Sequence, residues 1–356
     1  VRRQRLPRKL IAVVDIAVVA VVYLMGRSEQ VGRSMTEEVL ISEQQPIPAA
    51  SRAVWLKLLR PRQWTKNLIA YAPLLFAIKI HEIDLFLIAT ACVLSLCLVS
   101  GGIYILNDIL DAEADRLHPK KKLRPIASGQ VSVRSAFVFG MLVISLGLIL
   151  SFLIRPTLCL VVLVFLGINL LYTCLLKHHA IVDVFGIAAS FVLRAVAGAV
   201  AVHVPVSGWF LLCTTLGALF LALEKRRQEL ELLGKNSLAH RKSLGLYSTE
   251  LLDRMEALVV ASLLTSYAFY SFLSAHGQWM MLTVPFVIYG VMRYQLLSVE
   301  HKVTGSPEDV LFKDRPIQIT ILAWLLTCAL VVYGAPNLLK PLSRTLDSMQ
   351  VIKLHQ

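Results

Sequence analysis

Long apolar stretches and short charged connections alternate along most of this chain. Nine stretches read as bilayer-crossing helices: roughly 67–80, 84–106, 133–153, 157–176, 181–202, 207–223, 255–274, 279–297 and 317–335. Pro73 interrupts the short first stretch and Pro285 the eighth, breaks that are tolerated where neighbouring helices cover the freed backbone groups. The pattern predicts an all-α integral membrane protein, with about nine transmembrane helices around a central cavity open to the cytoplasmic side.

Basic residues fall unevenly between these stretches. Arg116, Lys120, Lys121, Lys122, Arg124 and Arg134 follow the second, and Lys225, Arg226, Arg227, Lys235, Arg241, Lys242 and Arg254 follow the sixth. Alternate connections carry only Lys79, then Arg155, and none near Val204 or Gln278. With nine spans every basic connection lands on one side, which the positive-inside rule makes cytoplasmic. The expected protein is therefore multi-pass in the cell membrane, with the N-terminus inside and the C-terminus outside.

The spans lie within a domain expected over 51–340. Ahead of it, 1–50 reads as a basic and apolar extension with a linker, and 341–356 as a tail. Arg2, Arg3, Arg5, Arg8 and Lys9 precede an apolar run that resembles a signal peptide but lacks a convincing small-residue cleavage site. The opening Val1 fits an alternative or mis-set start.

Composition supports the membrane class. Hydrophobic residues make up 56% of the chain, and its mean hydropathy is +0.67. A net charge of +13 raises the question of nucleic acid, but no recognition helix or stacking-aromatic pattern accompanies it, and the cations sit between apolar spans. They suit anionic headgroups instead. All six cysteines lie inside apolar runs without a CxxC pair, so they read as small buried hydrophobes.

Chemistry concentrates where the second span ends. Asn107 to Gly129 reads NDILDAEADRLHPKKKLRPIASG. Asp108, Asp111 and Asp115 fall on nearly one face of a helix over about 10 Å of axis. Carboxylates so close repel unless a cation sits among them. Magnesium suits the place, because it takes a few carboxylates and lets substrate phosphates complete its shell. Asn107 is a further candidate ligand. The bland alternative is a solvated acidic helix end.

The stretch resembles the NDxxDxxxD motif of the UbiA-type intramembrane transferases, and the resemblance covers about 55–335. RPRQWTKN at Arg60–Asn67, HPKKKLRPIASG at His118–Gly129, LKHHAIVD at Leu176–Asp183, FVLRAVAGA at Phe191–Ala199, EKRRQEL at Glu224–Leu230 and RKSL at Arg241–Leu244 are similar to the decaprenyl-phosphate phosphoribosyltransferase branch. That resemblance implies phosphoribosyl pyrophosphate as donor, a polyprenyl phosphate as acceptor and Mg2+ as cofactor. Aromatic prenyltransferases of the superfamily carry a second acidic motif, DxxxD. Here the matching place, Asp183 to Ile187, reads DVFGI and lacks the second carboxylate.

Such anionic substrates need fixed cations as well as a metal. Lys66, Lys121 and Arg124 lie on the predicted face of the aspartates, where each also reads as an interfacial anchor. Tyr104 is placed to orient donor oxygens, or belongs to an aromatic belt. Arg194 sits about 16 Å deeper than Asp183 along its helix, where an unpaired charge costs at least about 2.5–3.5 kcal/mol. It lines an anion cavity or pairs with Asp183, and Asn169 makes an interhelical hydrogen bond or lines the same cavity. Lys177, Lys225 and Arg226 hold phosphate or fix topology. Asp309, Asp314 and Arg315 are expected to form local caps or salt bridges.

The expected enzyme is a magnesium-dependent phosphoribosyltransferase acting on a lipid phosphate. Asp108, Asp111 and Asp115 are its catalytic aspartates, and Lys66, Tyr104, Lys121, Arg124, Lys177, Asp183, Arg194, Lys225 and Arg226 bind substrate. An ionised lipid phosphate needs no general base, which accounts for the lack of a Ser–His–Asp or paired acid/base set. A homo-oligomer is compatible with this reading, and nucleic acid is not an expected partner. The runner-up is an aromatic prenyltransferase with a polyprenyl diphosphate donor. A third reading, a transporter with Arg194 as its midplane anion site, lacks the internal repeats of broken helices that would favour it.

Overall fold

A computed structural model describes residues 51–77, 79, 81–117, 121–233, 242–274, 277–299 and 313–334. The expected extension and linker over 1–50, the tail over 341–356, and His118, Lys120, Lys235, Arg241 and Asp309 lie outside the described residues. The described residues from Ala53 onward belong to one compact unit.

Eight long helices make the frame: α1 Ile83–Leu110, α2 Val133–Ile154, α3 Pro156–Cys174, α4 Val182–Val202, α5 Gly208–Leu233, α6 Thr249–Leu273, α7 Val284–Val299 and α8 Arg315–Ala329. Eight helical runs built on them are long and apolar enough to cross a membrane. Their starts are chemically marked. Ser132, Ser248 and Asp314 each accept a hydrogen bond from the backbone N–H three residues on, at 3.1, 3.1 and 2.9 Å. Pro156 and Pro316 sit in first turns, where a missing N–H costs nothing. Pro285 likewise falls in the first turn of α7, directly after a 3₁₀ turn at Met281–Thr283.

The first predicted span takes a different form. Pro61–Tyr71 is a 3₁₀ helix, followed by a short α segment, Ala72–Phe76, that opens around Pro73. At about 2.0 Å rise per residue in the first part and 1.5 Å in the second, the stretch extends about 30 Å. It begins at Arg60, bonded to Asp108 near the end of α1. It finishes at Phe76, whose ring lies 5.9 Å from Phe210, 6.0 Å from Tyr270 and 6.4 Å from Trp324. Its threefold period sorts its side chains: Asn67, Ala70 and Pro73 form a buried row, while Lys66 donates to Gln63 three residues back at 2.6 Å.

Small residues let the elements approach. A Cβ on Gly198 of α4 would fall 2.0 Å from the Ala70 carbonyl oxygen, and one on Gly102 of α1 only 2.4 Å from Ile144 of α2. The core between them gathers Ala70, Leu96, Ile103, Val162, Phe165 and Ala197.

Polar connections meet at one end of the bundle. Lys177 after α3 reaches Asp111 after α1. Arg226 of α5 reaches Asp183 of α4, and Arg293 of α7 reaches Asp314 at the start of α8. Arg155 and His203, 3.0 Å apart, join two loops at the other end.

Candidate active site

The acidic group is built by the end of α1. Asp108 occupies its last turn, Asp111 its C-cap, and Asp115 the short helix Ala112–Leu117. The helix expected to carry all three thus pauses at Asp111. Asp108 and Asp115 are each only 3% exposed. Arg124 Nη1 donates to Asp108 Oδ1 at 3.0 Å and to Asp115 Oδ2, so both carboxylates reach one point. Arg60 donates to the same Asp108 oxygen, and its guanidinium lies 5.3 Å over the Tyr104 ring. Asp111 faces elsewhere: Lys177 Nζ donates to its Oδ1 at 3.0 Å and Asn107 Nδ2 to its Oδ2 at 3.2 Å. Lys121 stands 4.0 Å from Asp115.

A second cationic group adjoins this one. Burial pushes the Lys66 ammonium well below the ordinary lysine range, and the charges of Lys225, Arg194 and Arg60 push it further. Lys66 is thus near enough to Lys225, Arg194 and Arg60 to feel their charge. Arg194 is fixed in place: Nε donates to Asn67 Oδ1 at 2.7 Å, Nη1 to Ser190 Oγ at 2.7 Å and to the Ser190 carbonyl at 2.9 Å. Phe165 and Phe191 flank its guanidinium at 4.7 and 5.2 Å. Asn67 Nδ2 in turn donates to Cys97 Sγ at 3.2 Å, and Asn169 Oδ1 accepts from Ser190 Oγ at 3.2 Å. The partner of Arg194 is thus an amide and a hydroxyl, and not Asp183.

Residues 68–313 match the UbiA prenyltransferase family. The chain belongs to that family. It is 34% identical to the decaprenyl-phosphate phosphoribosyltransferase of Mycobacterium tuberculosis over 84% of this chain and 100% of that one. The enzyme of the same name from Corynebacterium glutamicum is 35% identical over 79% of this chain and 87% of its own. Among solved structures, a UbiA homologue from Archaeoglobus fulgidus bound to DMAPP and Mg2+ superposes with a TM-score of 0.63 at 21% identity, covering 78% of this chain and 98% of that one. A digeranylgeranylglyceryl phosphate synthase gives 0.57 at 19% identity, over 79% and 98%. At such identities the likeness concerns the fold.

In this UbiA-family chain most of the predicted residues fall into two neighbouring groups. Asp108, Asp111, Asp115, Asn107, Tyr104, Lys121, Arg124 and Lys177 gather around the end of α1, with Lys66, Arg194 and Lys225 beside them. Asp183 and Arg226 belong to neither. Their side chains are fully enclosed and paired at 2.8 Å. Tyr247 Oη donates to Asp183 at 2.8 Å, while Arg226 also donates to Glu229 and to Tyr172. Burial pushes the Tyr247 hydroxyl upward, with Asp183 beside it adding to the effect. Asp183 and Arg226, expected among the substrate-binding residues, are here enclosed by each other's charge and tie α4 to α5.

Sequence reasoning passed over two residues of the site, Arg60 and Asn67, although both lie in the RPRQWTKN stretch. It also missed an acidic pair enclosed by α5, α6 and α7. There Glu224 accepts from Ser298, and Glu256 accepts from Gln295 at 2.7 Å.

The donor set suits a hard divalent ion. Asp108 and Asp115 present oxygens to one point, now held by a guanidinium nitrogen, and Asp111 stands nearby. Among the described residues no three His, Cys, Asp or Glu side chains are gathered into a complete metal cage. Magnesium does not need one, since it binds through one or two carboxylates and completes its shell with water and phosphate.

Proposed function

We propose that this protein transfers 5-phosphoribose from phosphoribosyl pyrophosphate to a polyprenyl phosphate of the decaprenyl type, releasing pyrophosphate. The observation that carries the reading is the paired architecture of the site. An acidic group suited to a metal diphosphate stands beside Lys66, Arg194 and Lys225, which suit a second anion. The decaprenyl-phosphate phosphoribosyltransferases, similar along nearly their whole length, support this assignment of substrates.

Asp108 and Asp115, with Asp111 beside them, would hold Mg2+. When bound, that ion neutralises charge growing on the leaving diphosphate. Arg60, Arg124 and Lys177 are positioned to take phosphate oxygens by charge-assisted hydrogen bonds. The bond from ribose C1 to the diphosphate oxygen breaks, its electron pair leaving with pyrophosphate. A lipid phosphate oxygen then forms the new bond to C1. Lys66, Lys225 and Arg194 orient that acceptor, whose oxygen is already ionised, so positioning and electrostatics carry the reaction. The basic connections support a cytoplasmic setting for this end of the bundle, where a soluble sugar diphosphate would be available while the apolar tail stays in the bilayer.

Purified protein supplied with labelled phosphoribosyl pyrophosphate, Mg2+ and polyprenyl phosphate should yield a labelled lipid. Asp108→Asn should abolish it. Transfer of label only from a labelled prenyl diphosphate to an aromatic acid would select prenyl transfer instead.

A further inference from the structure

Asp108 and Asp115 are almost wholly buried, and a buried carboxylate is strongly destabilising without positive charge against it. Here that charge is supplied by the chain itself. Arg60 and Arg124 share one oxygen of Asp108, and Arg124 also holds Asp115. Arginine cannot shed its proton, so it vacates those oxygens only by moving. Both arginines are placed to move, since each side chain is 26% exposed against 4% for the carboxylate it holds. Arg60 is also held in an unusual backbone. It sits in the left-handed region at φ 50°, immediately before Pro61. A residue preceding proline is ordinarily extended, and a left-handed non-glycine residue persists only when its surroundings hold it there. Its backbone N–H donates to the Lys57 carbonyl at 3.3 Å, its carbonyl accepts from the Gln63 N–H at 2.9 Å, and its side chain meets Asp108 and Tyr104.

We propose that Arg60 and Arg124 are resting counter-ions of the acidic pair, which yield Asp108 and Asp115 to the divalent ion and turn to phosphate oxygens of the incoming donor. This rests on the diphosphate reading of the site and adds a thermodynamic consequence to it. A metal arriving alone must displace both guanidinium groups from their carboxylates without offering them a new anion. A metal arriving with a diphosphate gives those groups new partners. Metal and donor should therefore strengthen each other's binding, and by linkage the effect is reciprocal. The carboxylates are never left buried without a cation.

The test uses the full chain in nanodiscs, with bound Mn2+ measured from the loss of the free-ion electron paramagnetic resonance signal in phosphate-free buffer. Arg124→Gln should bind Mn2+ alone about tenfold more tightly than the unmodified chain, within the usual range of coupling between ligands. Arg60→Gln should shift it in the same direction. Lys122→Gln, which removes an exposed neighbouring charge, should leave it unchanged. Phosphoribosyl pyrophosphate should raise Mn2+ affinity in the unmodified chain beyond what complex formation in solution supplies, and raise it less in Arg124→Gln. Unchanged or weaker Mn2+ binding in both arginine variants, equal tightening in Lys122→Gln, or an equal donor effect in all proteins would overturn the proposal. The arm on the unmodified chain stands even if a variant fails to fold. Because metal is titrated without turnover, loss of phosphoribosyl transfer with the exchange intact would reject only the substrate reading.

Discussion

Asp183 and Arg226 face each other across α4 and α5 at 2.8 Å, neither side chain touching solvent. Such a pair is weak evidence of added stability, but breaking it strands a buried charge. Arg226→Met or Asp183→Asn should lower unfolding stability by about 3–5 kcal/mol. The double variant Asp183→Leu/Arg226→Met should recover much of that loss. Chemical unfolding in detergent, followed by tryptophan fluorescence, checks both; equal damage in the single and double variants would argue that these residues do more than pair.

Around the acidic group the expected losses are catalytic. Asp108→Asn and Asp111→Asn should each reduce turnover by about a hundredfold or more, the scale of removing one element of transition-state charge stabilisation. Chelation with EDTA should abolish labelled-lipid formation, and Mg2+ should restore it. Unchanged melting temperatures would show that the aspartates serve chemistry and not folding.

Lys66 gives a pH dependence. Burial and the neighbouring Lys225, Arg194 and Arg60 depress its folded pKa. Protonation therefore costs stability in the anion-free protein: the penalty is full below the depressed value and disappears as pH rises to the ordinary lysine value. An arriving phosphate reverses the preference and draws a proton onto the amine. Anion binding should take up protons and weaken as pH rises through the depressed value. Calorimetry in buffers of different ionisation enthalpy reads the uptake, and Lys66→Gln should remove it. A slope that persists in Lys66→Gln would locate the proton elsewhere.

Gly198 tests the seat of the 3₁₀ segment. A methyl group there would overlap the Ala70 carbonyl, a backbone atom that cannot rotate away. Gly198→Ala should cost about 1–3 kcal/mol and raise KM for the acceptor, because Asn67 and Lys66 lie on the displaced stretch. Gly167→Ala, which meets nothing within 4 Å, should leave both unchanged.

Much of this architecture is legible in the chain. Long apolar runs with few charges, Arg194 in α4 and Arg293 in α7 among them, mark α1 to α8, because the bilayer forbids unpaired backbone groups and leaves helix as the remedy. The aspartate spacing at the end of α1 is legible for a similar reason: a helix period brings Asp108 and Asp115 to a common partner. Contacts between distant segments are not. Nothing local distinguishes Lys225, whose charge reaches Lys66, from its neighbour Arg226, which is sealed against Asp183; the difference is set by packing of α5 on α4. Nor does apolar periodicity reveal that 61–71 winds with three residues per turn, since the choice depends on the close seat at Gly198.

That winding limits what can change between Pro61 and Phe76. In a threefold helix, losing one residue turns everything beyond it by about 120°. A deletion between Pro61 and Lys66 would swing Asn67 off Arg194 and Ala70 off Gly198 in a single step. Helices elsewhere in the bundle can absorb an altered length in their loops, whereas this stretch must keep its residue count.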